Sequence, residues 1–134
     1  LLYAFPGSPT VYYGDEAGME GYEDPFNRGT FPWGREDQRL QQHFMQLGRL
    51  RNERRSLQEG NLRWIYAEGH VLAFARELGD EITVAVTNTG DEAVTISFPW
   101  DGDLATDALT LQQFLTQDGM VSLRLPPLDG MLLV

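Results

Sequence analysis

The feature that most constrains the fold of this chain is a change in hydrophobic period near residue 60. Within residues 36–57, apolar side chains recur at steps of three or four, at Leu40, Phe44, Leu47 and Leu50. This spacing places them on one face of an amphipathic helix. The following Glu59-Gly60-Asn61 predicts the end of the helix, because glycine and asparagine are common just after helix C-termini.

Beyond residue 61 the side chains alternate with the two-residue period of a β-strand. Alternating runs occur at 71–76, 82–87, 94–98 and 121–125, and residues 128–134 are expected to supply a last strand. The runs are separated by turn-forming residues at 79–80, 88–91, 100–103 and 117–119. Short consecutive strands joined by tight turns predict an antiparallel meander that closes into a small β-sandwich.

The first 35 residues follow neither period. Residues 1–5 are compatible with the end of a helix, and Thr10 to Tyr13 with a short apolar strand. The remainder, up to Gly34, reads as a loop rich in glycine, proline and aromatic residues. A loop of about twenty residues is uncommon in a compact domain unless it is functional.

Charge and composition exclude several classes of function. The net charge is −10, and residues 59–134 carry twelve acids and three arginines, against eight acids and seven arginines in residues 1–58. Such a surface repels phosphates, which argues against nucleic acid and anionic membrane as partners. The absence of cysteine excludes thiolate metal sites and cysteine nucleophiles. Asp101-Gly102-Asp103 lacks the further ligands of a calcium loop, so we predict no metal and no cofactor.

A set of motifs in the first 51 residues resembles the alpha-amylase family, glycoside hydrolase family 13. The motifs are Pro6-Gly7-x-Pro9 leading into Tyr12-Tyr13-Gly14-Asp15-Glu16-x-Gly18-Met19, then Asp24-Pro25-x-Asn27-Arg28, Phe31-Pro32-Trp33 and Leu47-x-x-Leu50-Arg51. The Asp-Pro-x-x-Arg segment is most similar to neopullulanase, cyclomaltodextrinase and maltogenic amylase. The later strands match only in pattern.

The resemblance implies a mixed fold, the last βα unit of a (β/α)₈ barrel followed by an all-β antiparallel sandwich. Residues 1–57 would supply the eighth strand, a substrate-side loop and the eighth helix, and residues 58–134 the C-terminal sandwich. Such a barrel needs about 250 residues, and the chain begins without Met. We therefore expect an upstream barrel as a partner and, because an unpaired barrel strand favours pairing with another chain, a possible homodimer.

The implied function is retaining hydrolysis of alpha-glucans such as malto-oligosaccharides, cyclodextrins or pullulan. The family's catalytic carboxylates sit on motifs after earlier strands, and none of those motifs occurs here, so we predict no catalytic residue in this chain and no activity for it alone. Similarity to neopullulanase-type enzymes favours a cytoplasmic location. The alternative function is a non-catalytic carbohydrate-binding or structural β-sandwich module.

The candidate substrate-binding residues are Asp24, Arg28 and Trp33. A carboxylate and a guanidinium together accept and donate hydrogen bonds to vicinal sugar hydroxyls, and the resemblance implies that this pair contacts a donor-side glucose. The alternative is a salt bridge that only pins the loop. For Trp33, stacking on a sugar ring and packing within the loop both remain open.

Three further assignments have alternatives. The adjacent acids Asp15 and Glu16 are expected to be structural rather than catalytic, because neighbouring side chains on a strand point to opposite sides. The arginines of the helix end, Arg51, Arg54 and Arg55, either bridge to the sandwich or form a solvated face. Trp64 and Trp100 either form a carbohydrate-binding face on the sandwich or are interior or interdomain anchors.

Overall fold

The computed structural model describes residues 1–134. A short 3₁₀ turn spans Asp15–Ala17, and two helices follow, α1 at Gln38–Glu53 and α2 at Arg55–Glu59. The remaining elements are eight strands: β1 Asn61–Glu68, β2 Val71–Leu78, β3 Glu81–Asn88, β4 Val94–Pro99, β5 Leu104–Thr106, β6 Gln113–Leu115, β7 Met120–Leu125 and β8 Asp129–Leu133. No helix has the length and apolar character that crossing a membrane requires.

The strands form an antiparallel sandwich. The larger sheet has the order β1-β2-β3-β8, and the second layer consists of the pairs β4-β7 and β5-β6. Tight turns at Gly69 and Gly79, both with positive φ, connect β1 to β2 and β2 to β3. The predicted antiparallel β-sandwich is therefore confirmed.

The main core lies between the two layers. Alternation along β2 and β3 turns one set of small apolar side chains inward, and β4 and β7 supply larger ones. The buried members of this cluster are Val71, Ala73, Ala75, Val84, Val86, Ile96, Phe98, Ala105, Val121, Leu123, Leu125 and Leu133. Burying one large aliphatic side chain contributes about 1.5–3 kcal/mol, so this cluster is the dominant source of stability.

The opposite face of the larger sheet is also covered. Phe74, Ala85 and Leu132 on that face pack with Leu57 of α2 and Ala4 of the N-terminal segment. Both sides of β2 and β3 are therefore buried, one by the second layer and one by residues 1–59. The helices and the N-terminal segment form a third layer on the sandwich.

The helical region differs in detail from the expected single helix over 36–57. Asp37 caps α1, since its Oδ1 accepts hydrogen bonds from the backbone N–H groups of Arg39 at 2.9 Å and Leu40 at 3.1 Å. The helix is interrupted at Arg54, whose φ of −103° and ψ of 111° are extended. A second helix then runs to Glu59, and Gly60 follows it, at the predicted stop.

One predicted strand is absent, and the strands β1, β5 and β6 were not predicted. Residues 10–13 form no strand, because no other strand of this chain lies alongside to complete a hydrogen-bonded ladder. Residues 61–68 do form one, which the sequence pattern missed. This strand, β1, lies at the edge of the sheet, and its pairing shifts register between Trp64 and Tyr66, so its burial does not alternate. Residues 1–5 form a single helical turn, in which the N–H groups of Ala4 and Phe5 donate to the Leu1 carbonyl.

Candidate functional site

The candidate loop, residues 14–34, is held to the preceding segment by tight local packing. The Tyr13 hydroxyl donates to the carbonyl oxygens of Gly29 at 3.0 Å and Asn27 at 3.3 Å. Gly14 has a φ of 92°, and a Cβ placed there would lie 2.3 Å from the Met19 sulfur. Glycine is therefore required at position 14 both for its backbone conformation and for space. These contacts hold both ends of the segment between Gly14 and Gly29, which contains Asp24 and Arg28.

Asp24 and Arg28 form a two-point ion pair at the tip of this loop. Arg28 Nε lies 2.6 Å from Asp24 Oδ1, and a second guanidinium nitrogen donates to Oδ2 at 3.2 Å. The side chains remain 59% and 71% exposed, respectively. Exposed pairs contribute only about 0–1 kcal/mol. The pair therefore adds little to stability, while its outer lone pairs and N–H groups face solvent and are accessible to a ligand.

Trp33 is one of several highly exposed aromatic rings close to this pair in sequence, together with Tyr22 and Phe26. It is 81% exposed, and its ring centroid lies 4.6 Å from that of Phe31 at an interplanar angle of 51°. One edge of the indole is thus supported by Phe31 while most of the ring is open. No hydrogen bond or ring stacking joins Trp33 to Asp24 or Arg28, so the three candidate residues share a loop but do not form a closed pocket.

Glu16 has a structural role in the 3₁₀ turn. Its Oε2 accepts a hydrogen bond from the Gly14 backbone N–H at 2.9 Å. The carboxylate is therefore bound to backbone at the point where the loop begins, as the structural alternative predicts. No group of three or more His, Asp or Glu side chains converges in a geometry that would hold a metal ion.

Two buried arginines tie the N-terminal segment to the rest of the molecule. Arg76, on β2 and 1% exposed, donates to the Ala4 carbonyl at 2.7 Å and to the Gly60 carbonyl at 2.8 and 3.1 Å. Arg51, on α1, donates to the carbonyl of Tyr3 at 2.7 Å and also to those of Phe5 and Gly7. Burial, and secondarily the neighbouring Arg51 cation, lowers the pKa of Arg76 below its usual range.

These contacts decide between the alternatives for the arginines of the helix end. Arg51 is buried, and Arg54 bridges to the sandwich by donating to the Ile82 carbonyl at 2.9 Å and to Thr83 Oγ1 at 2.5 Å. Arg55 is exposed and pairs with Glu59 within α2. The sequence pattern did not mark Arg76 as a structural anchor. The sequence did contain a signal for this role, because Arg76 is a charged residue on the same strand face as the buried Phe74.

The two tryptophans of the sandwich, Trp64 and Trp100, lie in different environments. Trp64 is a half-exposed anchor between layers, with its ring centroid 5.7 Å from Phe74 and 6.2 Å from Phe5. Trp100 lies at the other side of the sandwich, partly packed against the main core. They do not form one common face.

The fold is that of the small antiparallel β-sandwich found at the C-terminus of alpha-amylases. An alpha-amylase from Anoxybacillus superposes with a TM-score of 0.91 at 27% identity, over 98% of this chain and 30% of that one. An alpha-amylase from Geobacillus thermoleovorans, solved with acarbose, gives a TM-score of 0.88 at 25% identity, over 98% of this chain and 30% of that one.

Residues 62–132 match the family model "Maltogenic Amylase, C-terminal domain". The chain belongs to this family, and its resemblance to the alpha-amylase family is confirmed, with relatives that include amylopullulanase, cyclomaltodextrinase and neopullulanase. An amylopullulanase from Thermoanaerobacter thermohydrosulfuricus is 40% identical over 100% of this chain and 10% of its own length. A cyclomaltodextrinase from Geobacillus thermopakistaniensis is 36% identical over 92% of this chain and 22% of its own length. The chain thus spans less than a quarter of either relative.

Proposed function

We propose that this chain is the C-terminal portion of a retaining alpha-glucan hydrolase that acts on malto-oligosaccharides, cyclodextrins or pullulan. The observation that carries the proposal is the length of the match. The 40% identity to an amylopullulanase extends over the whole chain, whereas the sandwich family model covers only residues 62–132. Similarity to an enzyme therefore continues through the loop and helix that precede the sandwich.

We assign residues 1–57 to the last βα unit of a (β/α)₈ barrel and residues 58–134 to the sandwich. Two features of the first part support a barrel partner. Residues 10–13 lack a neighbouring strand, and several large apolar side chains of residues 1–57 are exposed, among them Leu2, Tyr12, Phe26 and Met45. Exposed apolar surface of this kind is typical of an interaction surface. The rest of the barrel would cover them, and in its absence a second copy of the chain is the expected substitute.

Catalysis is assigned to carboxylates outside this chain. Retaining glycosidases need two carboxyl groups about 5 Å apart on either side of the scissile bond. Here Glu16 is bound to backbone and Asp24 is paired with Arg28. The purified chain is therefore expected to release no reducing sugar from maltotriose or cyclodextrin.

Within this function, Asp24 and Arg28 contact a glucose unit of the substrate, and Trp33 offers a ring face beside it. Their exposure and the low energetic value of the ion pair support a binding role over simple pinning of the loop. The loop after a barrel strand lies on the face that carries the active site. A closed subsite would need side chains from other barrel loops.

Calorimetric titration with maltotriose tests the assignment. Arg28→Ala and Asp24→Ala should each weaken binding about tenfold, which corresponds to about 1.4 kcal/mol. Arg55→Ala is a matched control, because Arg55 and Glu59 form an exposed i,i+4 pair with 69% and 58% exposure, nearly the same as Arg28 and Asp24. Equal affinities of all three variants and the unmodified chain would refute a sugar contact at this loop.

A further inference from the structure

A groove opens between the two layers of the sandwich, away from the loop described above. Its volume is about 870 Å³, within the range of about 300–1,000 Å³ usual for small-molecule sites. One wall comes from β1 and the start of β3, the other from the end of β4 and the turn after it. The residues that line the groove include Arg63, Asp80, Glu81, Trp100 and Asp101.

Trp100 gives this groove a rigid aromatic wall. Its indole Nε1–H donates to the Leu104 carbonyl at 3.1 Å, and its backbone N–H donates to the Gly119 carbonyl at 2.9 Å. The indole also packs partly against the main core. Both the polar edge and the backbone are thus satisfied within the protein. The part of the ring that lines the groove is left for apolar contact with a ligand.

Some polar side chains of the groove already have hydrogen-bond partners within the protein, and others do not. Arg63 is bound to Glu77 at 2.6 and 2.8 Å, and Glu81 accepts from the Ser56 N–H at 2.5 Å. The exposed carboxylates of Asp80 and Asp101 accept no hydrogen bond from the protein. An ionised carboxylate is acceptor-only, with several lone-pair sites. A ligand that uses these two groups must therefore donate hydrogen bonds.

This combination selects the chemistry of the ligand. A ring with hydroxyl donors around an apolar C–H face matches a groove that is lined by an indole and by two carboxylates with free acceptor oxygens. Anionic ligands are disfavoured by the chain's net charge of −10. The groove lining holds three carboxylates and two guanidinium groups, Arg54 and Arg63, so its nearly balanced charge gives an organic cation little electrostatic advantage over a neutral ligand. A neutral polyhydroxylated ring uses the free acceptors and the ring face without a charge of its own.

We propose that this groove is a second carbohydrate site, in which a glucose unit of an alpha-glucan stacks on Trp100 and donates hydroxyl hydrogen bonds to Asp80 and Asp101. The choice of alpha-glucan rests on the function proposed above, whereas the location of the site does not. Binding here would hold a polysaccharide on the sandwich independently of the barrel loop. It would raise the local concentration of glucan near the rest of the enzyme.

The chain contains three tryptophans, and each reports on a different place. A ¹⁵N-labelled chain titrated with maltotriose gives three indole N–H signals, from Trp33 in the loop, Trp64 between layers and Trp100 in the groove. A saturable shift of the Trp100 signal is the expected result. Shifts of Trp33 alone would overturn the groove and support the loop site. Shifts of Trp100 alone would support the groove and count against the loop, so the two proposals fail separately.

Variants of the groove carboxylates and a cationic probe test the proposed contacts individually. Asp80→Asn and Asp101→Asn should each weaken the affinity reported by Trp100 by about threefold or more, since a charged acceptor is replaced by a neutral one. Asp91→Asn is the control, because Asp91 is exposed on a turn outside the groove. Unchanged affinity in both groove variants would overturn the proposal. So would a stronger response of Trp100 to choline than to maltotriose, which would indicate a cation site.

Discussion

Replacing Arg76 by methionine should destabilise the folded chain by about 3 kcal/mol. The guanidinium donates three hydrogen bonds, one to Ala4 and two to Gly60. Methionine retains most of the apolar stem but no donor, so two buried carbonyls lose this partner. Each unsatisfied buried carbonyl costs about 1–3 kcal/mol. The two carbonyls together therefore cost about 2–6 kcal/mol. Removing a buried cation next to Arg51 returns part of that cost, which places the net loss at about 3 kcal/mol, in the lower half of that range.

Urea unfolding measures this loss directly. With an m-value of about 2 kcal/mol per molar, a loss of about 3 kcal/mol lowers the midpoint by about 1.5 M. Arg55→Met serves as the control, because Arg55 makes only an exposed pair with Glu59 and its removal should cost less than about 1 kcal/mol.

Hydrogen exchange supplies a second measurement on Arg76→Met. The Ala4 carbonyl belongs to the same turn whose N–H groups, at Ala4 and Phe5, donate to Leu1. Loss of the guanidinium should accelerate exchange at those two amides more than at residues of α1. A stability loss below about 1 kcal/mol, or one equal to that of Arg55→Met, would refute the reasoning that the guanidinium anchors this segment.

Two further predictions concern single contacts. Hydrogen bonding from Ser56 lowers the pKa of Glu81 below its usual range, so its ionised form stabilises the fold above about pH 4.3 and this contribution disappears as the pH falls through the lowered pKa. Glu81→Gln should therefore cost about 1 kcal/mol at pH 7, and this cost should shrink in urea titrations as the pH is lowered below about 4.3, whereas a cost independent of pH would contradict this. At Gly60 an added Cβ would lie 2.4 Å from the Ser56 carbonyl oxygen, so Gly60→Ala should lower stability by about 1–3 kcal/mol. By contrast, Gly48→Ala within α1 meets only ordinary contact at 3.8 Å from Tyr3 and should raise stability by up to about 1 kcal/mol; thermal unfolding of both variants checks the opposite signs.

Regular periodicity predicted the sandwich well. The central strands β2, β3, β4 and β7 each have six or more residues and contain the alternating runs of five or six residues that predicted them. Burial follows the alternation along β4 and β7, so their buried set could be read from the sequence. Strand β1 was not predicted, because it lies at the edge of the sheet with a register shift at Trp64 and its buried and exposed side chains do not alternate. Strands β5 and β6 have three residues each, too few to show a period.

For the candidate loop, the sequence predicted the pairing of two residues but not the surroundings of the third. Its motif placed Asp24 and Arg28 four residues apart, and the structure brings them into a two-point pair. Whether Trp33 joins them depends on side chains outside the loop, since within this chain it contacts only Phe31 among the aromatic rings. The sequence offered Trp100 only as part of a face shared with Trp64, and it could not show the groove beside Trp100, because the groove walls come from segments about 20 to 40 residues apart.

The sequence by itself determined the change from helix to sheet at residue 60, the inward face of the central strands, the turns between them and the family to which the chain belongs. These properties depend on neighbouring residues, because the period of a helix or strand is set by local backbone geometry. Only the tertiary structure decided that residues 10–13 have no strand partner, that Arg51 and Arg76 are buried against main-chain carbonyls, and that the two layers leave a groove beside Trp100. Each of these depends on groups distant in sequence, whose hydrogen bonds and desolvation are fixed only when the layers pack together.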